Sequence, residues 1–243
     1  FIKWQLVDIR KDGMWAVLRK ARKLIMIPIV LPAVIIVRLI KPFILIRFGG
    51  LHATRIGHFV IDTELYLCEQ DAGIFVPAKH DIDIFHLGNM SGKISNNQLV
   101  LMWRRILNIW PLWIINPIMI VNRAIPFGHV HEIPPQVASS GTTRDIYNLL
   151  DVTETHLYFT DDEHTYGEKY LREMGIPEEA LFICLNVRDS AYLESYIQNM
   201  NWSYHKYRDS DIDNYVLAVE ELAERDYFVI RMGAKVHKAL QPS

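Results

Sequence analysis

The chain opens with a basic flank, Lys3, Arg10, Lys11, Arg19, Lys20, Arg22 and Lys23, and then runs apolar from Leu24 to Val37 until Arg38 interrupts it. A spanning helix needs about 20 apolar residues. This run is shorter and carries Pro28 and Pro32. With Trp4 and Trp15 nearby, it suits a segment lying in the membrane interface. A tilted transmembrane helix extended through Ile46 would have to take Arg38 and Lys41 inside, and a buried core helix is the third reading. No small-residue cleavage site follows the apolar stretch, so a cleavable signal peptide fits poorly.

From Pro42 onward, short apolar runs alternate with turn residues and amphipathic stretches, the pattern of an α/β chain. FILIRF, Phe43 to Phe48, predicts a first strand, Gly49 and Gly50 a loop, and RIGHFVIDTELYLCEQ from Arg55 a helix. GIFVPA and IDIFHLG predict the next two strands, and Asn96 to Trp110 a helix. PLWIINPIMIV, broken by Pro111 and Pro117, predicts core, with lipid contact through Trp103, Trp110 and Trp113 as the competing reading. Gly128 to Asp145 is rich in turn formers and predicts a long surface loop, within which His129 and His131 have no Cys or carboxylate at metal spacing. Thr160 and Glu163 have capping-box spacing, and Tyr166, Tyr170, Leu171 and Met174 give that helix an apolar face. Gly175 and Pro177 end it. The expected organisation is a membrane-associated segment over 1–41, a domain over 42–177, and a second domain beginning at 178.

Half of the 243 residues are hydrophobic, enough for a substantial core, and the net charge of -2 argues against a nucleic-acid binder. Cys68 and Cys184 are too few for a disulfide framework and predict buried free thiols in a reducing compartment. A start at Phe1 and an end ten residues after Gly233 suggest a fragment of a longer protein.

The chemistry concentrates between Leu181 and Gly233. Ligands of open α/β sheets bind beyond the carboxyl ends of strands, where Arg188, Asp189 and Ser190 follow LFICLNV. The connection from Ala191 to Arg208 is long and carries Tyr192, Tyr196, Trp202, Tyr204, His205 and Tyr207, aromatics able to stack on a base or sugar. Ser210 is placed to cap a helix starting at Asp211, with Asp213 reciprocating and Arg208 just ahead of a phosphate-binding N-terminus. Alternation puts Tyr227, Val229 and Arg231 on one strand face, and Arg231 there needs an anionic partner such as Asp189 or Asp209. A purely structural ion-pair network is the competing reading. No dinucleotide fingerprint, P-loop or nucleophile elbow occurs. Asp81 with Asp83, Asp209 with Asp211, and Asp211 with Asp213 are Asp-x-Asp pairs, two of which capping accounts for, so no metal is assigned.

Taken together, RIGHFVIDTELYL, YFTDDEHTYGEKYLREMGIP, FICLNVRDSAYL, YHKYRDSDIDNY and YFVIRMG resemble a family of bacterial glycosyltransferases of the GT-B type, from about Phe43 to the C-terminus. The resemblance implies a Rossmann-like acceptor domain and the incomplete start of a Rossmann-like donor domain, with chemistry in the cleft between them. It implies sugar transfer from a nucleotide sugar to a glycan or lipid-linked acceptor of the cell envelope, on the cytoplasmic face of the membrane and without a cofactor or metal. On it, Arg55 and Gly57 face the acceptor, and His58 is the general base. Arg188, Asp189, Ser190, Arg208, Ser210 and Arg231 meet the donor diphosphate. The alternatives are a non-catalytic membrane-associated module and another GT-B activity such as a sugar epimerase.

Overall fold

A computed structural model describes residues 26–74, 77, 80–88, 93–133, 145–196 and 201–241. The basic flank therefore lies outside the described residues, as do Phe75, Val76 and Ala78 of GIFVPA. The chain divides into two compact units between Tyr158 and Phe159. That division falls upstream of Pro177, so the capped helix of YFTDDE belongs to the second unit.

The first unit is a three-layer α/β/α arrangement. Helix α1 (26–40) precedes strand β1 (Leu45–Leu51), helix α2 (Ile56–Asp71), strand β2 (Asp81–Leu87), helix α3 (Asn97–Arg104), strand β3 (Asn108–Ile109) and helix α4 (Leu112–Ala124). The strands form a parallel sheet in the order β1-β2-β3, with Arg47 opposite Asp83, Gly49 opposite Phe85 and Gly50 opposite His86. Strand alternation sends Leu51 and Phe85 to one face, where α2 and α3 add Phe59, Tyr66, Leu67, Met102 and Trp103. It sends Phe48 and Ile84 to the other face, against Val37 of α1 and Ile115 of α4.

Several elements depart from the sequence expectations. β1 runs through Gly49 and Gly50 rather than ending at Phe48. Both are close-approach positions: a Cβ at Gly49 would lie 2.8 Å from Ile133 Cδ1, and one at Gly50 would lie 2.7 Å from the His86 ring. α3 stops at Arg104, because Asn108 and Ile109 pair with β2 as β3. α4 continues through Pro117, its missing hydrogen bond outweighed by packing of Ile115, Ile118 and Val121 on the sheet and α1. Within the expected surface loop, His131 is buried with its Nδ1 2.7 Å from the Ile46 carbonyl, and Ile133 N–H donates to the Phe48 carbonyl, so residues 131–133 lie along β1.

α1 is partly core. Val30, Val34 and Val37 pack inward, while Arg38, instead of interrupting the helix, donates to Asn122 Oδ1 at 2.8 Å and to the Pro126 carbonyl near the end of α4. Its other side stays apolar and exposed: Ile29, Ile36 and Leu39, followed by Phe43. Among the described residues, no helix is long and apolar enough to cross a membrane. Beyond α4, the short helix α5 (Leu149–Val152) is capped by Asp145, whose carboxylate accepts from the backbone of Leu149 and Leu150.

In the second unit, helix α6 (Asp161–Glu173) begins with the expected capping box. The Thr160 hydroxyl accepts from Glu163 N–H, and the Glu163 carboxylate accepts from Thr160 N–H. Its expected apolar face is not buried; Tyr166, Tyr170 and Met174 are exposed. Strand β4 (Phe182–Asn186) pairs in parallel with β5 (Phe228–Met232), and helices α7 (Ala191–Tyr196) and α8 (Val216–Glu224) lie between them in sequence. Parallel sheets are ordinarily covered on both faces, yet Leu181, Phe182, Cys184, Phe228 and Met232 are exposed. Cys184 thus departs from the expected buried thiol, while Cys68 on α2 conforms.

Candidate functional site

Two groups of polar side chains gather beyond the carboxyl ends of parallel strands, one in each unit. In the first unit, β1 ends at Leu51, His52 follows, and the chain turns into α2 with Arg55 at the N-cap, its side chain making no cap hydrogen bond. His58 occupies the first turn and Asp62 the next, so the i, i+4 spacing stacks them on one side of the helix. Asp62 is buried, and one of its oxygens, Oδ2, lies 3.1 Å from His58 Nδ1 and 3.3 Å from His52 Nδ1. The two imidazoles meet edge to face with centroids 5.7 Å apart. Nδ1 of His58 is held by Asp62, and the side chain is partly exposed. Gly57 beside it has open space where a Cβ would stand.

The sequence points to Arg55, Gly57 and His58 on the acceptor side, and the structure adds His52 and Asp62 as the neighbours of His58. The signal for Asp62 was present, a carboxylate four residues after a histidine on a predicted helix. At the end of β2, His86 packs against Gly50, and burial lowers its pKa from the ordinary value, so it is neutral near pH 7.

In the second unit, the structure brings Arg188, Asp189, Ser190, Ser210 and Arg231 together beyond β4. Arg188 Nη1 stands 3.5 Å from the His205 carbonyl and 3.8 Å from Asp209 Oδ1, and its own carbonyl accepts from Ser210 N–H. Among the described residues Arg231 meets no carboxylate, contrary to the strand-alternation expectation. Its Nη2 donates to the Val187 carbonyl at 2.7 Å and its Nη1 to the Met232 carbonyl at 2.5 Å, while its buried Nε has no hydrogen-bond partner. Asp209 Oδ1 is likewise buried without one. The guanidinium of Arg231 thus ties the end of β5 to the end of β4.

Asp189 closes the loop. Its carboxylate accepts from Ala191 N–H and His237 N–H, both at 3.0 Å. Ser190 Oγ donates to Glu194 at 2.6 Å and lies 3.2 Å from His237 Nε2. Arg208 is exposed, against His205 Nδ1 and with its guanidinium 5.5 Å from the Tyr207 ring centroid. The helix-capping role expected of Ser210 falls instead to Asp211, whose side chain accepts from Asp213 N–H. A 3-10 turn over Ile212–Tyr215 leads into α8. Ser210 Oγ is 3.4 Å from the Tyr215 hydroxyl. The long aromatic connection folds on itself, with Trp202 buried and stacked on His205 at 5.9 Å.

The Asp-x-Asp pair on β2 is also accounted for. Arg47, buried in β1, donates from Nε to Asp83 Oδ1 at 2.7 Å and from Nη2 to Asp83 Oδ2 at 2.6 Å and Asp81 Oδ2 at 2.8 Å; the Tyr66 hydroxyl donates to Asp83 as well. Burial and that hydrogen bond push the Tyr66 phenol well above its ordinary pKa. Two other sets have metal-ligand chemistry, His52 with His58 and Asp62, and Glu64 with Cys68 and His156; within each set the ligand atoms lie within 4.8 Å of one another.

No family model, curated protein or solved structure matches the chain.

Proposed function

We propose that this chain is a membrane-surface glycosyltransferase of the GT-B type, with the first unit taking the acceptor and the second a nucleotide sugar. The observation that carries this reading is the grouping of Arg188 and Arg231 at the end of the β4–β5 parallel pair, with the exposed Arg208 nearby. Anionic ligands are met at this end of a parallel sheet, and a departing diphosphate needs cationic stabilisation as its negative charge develops.

In the proposed reaction, His58 Nε2 removes the proton from an acceptor hydroxyl while Asp62 holds Nδ1–H and stabilises the imidazolium. The acceptor oxygen bonds to the anomeric carbon. The bond from that carbon to the diphosphate breaks, and its electron pair leaves with the nucleoside diphosphate, whose charge the arginines offset. Arg188 and Arg231 are anchored by backbone carbonyls, which would preorganise them at no cost during the reaction. The exposed apolar side of α1, downstream of the basic flank, supports a peripheral position on the anionic inner face of the membrane.

A second reading is a non-catalytic membrane-associated module. It draws on Asp189, Asp211 and Asp213, whose contacts are those of loop closure, capping and pairing with Lys238.

Release of nucleoside diphosphate from a panel of nucleotide sugars, with membrane acceptors present and absent, separates the two. The transferase releases nucleoside diphosphate from at least one donor, and Arg208→Ala weakens binding of that donor about tenfold or more, the loss of one charge-assisted contact. Absence of release with every donor sinks the proposal.

A further inference from the structure

We infer that Glu64, Cys68 and His156 form a second, buried site for a zinc ion, with Asp71 holding the histidine in place. Glu64, Cys68 and Asp71 fall at i, i+4 and i+7 along α2, and so share one stripe of the helix. His156 arrives from the segment after α5: its backbone N–H and its Nδ1 both meet Glu64 Oε1, at 2.9 and 3.0 Å, and its Nε2 lies 3.1 Å from Asp71 Oδ2. Glu64 and Cys68 are more than nine-tenths buried, and Glu64 Oε2 has no hydrogen-bond partner among the described residues.

A buried carboxylate oxygen left without a partner is costly and calls for an explanation. With a neutral imidazole, which donates to only one of the two carboxylates that face it, the set needs positive charge from elsewhere. A divalent cation among Glu64, Cys68 Sγ and His156 Nδ1 supplies that charge. Thiolate, imidazole and carboxylate together suit zinc, whose bonds to them run about 2.0 to 2.3 Å, leaving ligand atoms within the 4.8 Å observed. Asp71 on the far ring nitrogen gives the carboxylate–histidine–metal pattern that orients a ligating imidazole. Glu64 and Cys68 stand about 9 and 15 Å further along the axis of α2 than His58, at 1.5 Å per residue, and so are separate from the residues of the proposed transfer chemistry.

Cobalt(II) titration of the metal-free full chain tests the site. The expected result is a near-ultraviolet thiolate-to-cobalt charge-transfer band at one equivalent, removed by competing zinc. Cys68→Ser abolishes the band and Cys184→Ser keeps it. The His52, His58 and Asp62 set holds no thiolate and cannot produce the band. Asp71→Asn, which removes no ligand, weakens cobalt affinity about 10- to 100-fold, which keeps the test open if Cys68→Ser fails to fold. A wild-type chain without the band, or a band that depends on Cys184, overturns the proposal; an imidazolium clamped between two carboxylates would give the former.

Discussion

Arg47→Met tests whether a charged network inside the first unit is a structural necessity. Arg47 is 4% exposed, and its side chain makes three hydrogen bonds of 2.6 to 2.8 Å to Asp81 and Asp83. Methionine fills much of the same volume without the charge, so the perturbation orphans the carboxylates more than it opens a cavity. Breaking a buried pair by removing one partner costs about 3 to 5 kcal/mol. The Asp81 side chain is 18% exposed and can recruit water; Asp83 is 8% exposed but keeps the Tyr66 hydroxyl as donor. Both features point to the lower end, about 3 kcal/mol, a large part of the 5–15 kcal/mol that holds a typical domain together. Urea unfolding measures the loss as a fall in midpoint at constant slope. In an Arg47→Met, Asp83→Asn double variant, the two losses should be far from additive, with a coupling of about 1.5 kcal/mol or more. A single-variant loss under about 1 kcal/mol, or additive losses in the double variant, would refute the reasoning.

The Tyr66 phenol has a raised pKa in the folded state, so below its ordinary value of 10.0 both states hold the proton. Above that pH the unfolded chain releases it first. Stability should therefore fall with rising pH by about 1.4 kcal/mol per unit from this group alone, and Tyr66→Phe should remove that share of the slope in unfolding measured on either side of pH 10. In the proposed transfer reaction, His58→Ala should lower kcat about 10²- to 10⁴-fold with donor binding intact. Asp62→Asn should give a smaller loss with an altered pH profile, and equal effects on donor affinity would count against the assignment. Ile36→Asp and Leu39→Asp, on the exposed side of α1, should reduce sedimentation with anionic vesicles without lowering the unfolding midpoint. Unchanged sedimentation would remove α1 from the membrane contact.

Local signals survived into the structure where one segment contained the whole device. The Thr160–Glu163 capping box, the RIGH helix and the IDIFHL strand are of this kind. What escaped depends on a neighbour distant in sequence. Gly49 and Gly50 suggest a loop until Ile133 and the His86 ring are seen to occupy the space a side chain would need. Pro117 suggests a helix end until the packing of α4 on α1 and the sheet is known. Arg47 looked like an ordinary strand position, and its role appeared only when the parallel register placed Asp83 opposite it. Arg231 was expected to need a carboxylate, whereas the short span from β5 to the end of β4 brought carbonyl oxygens within reach first.

The same dependence on distant neighbours explains how α2 carries two polar clusters. From Asp62 through Cys68 every residue is buried, so neither Asp62 nor Glu64 has a solvent side to face. Asp62 and Glu64, two positions apart, are rotated about 200° from each other on a helix of 3.6 residues per turn. One histidine set cannot serve both. His52 and His58 come from the turn into the helix and meet Asp62, while His156 arrives from ninety-two residues beyond Glu64 to meet it. The first set is close to the carboxyl end of β1 and partly open to solvent, which suits proton transfer with a substrate. The second is enclosed, adds a thiol, and leaves a carboxylate oxygen without a partner, conditions that favour a bound cation over a reacting ligand.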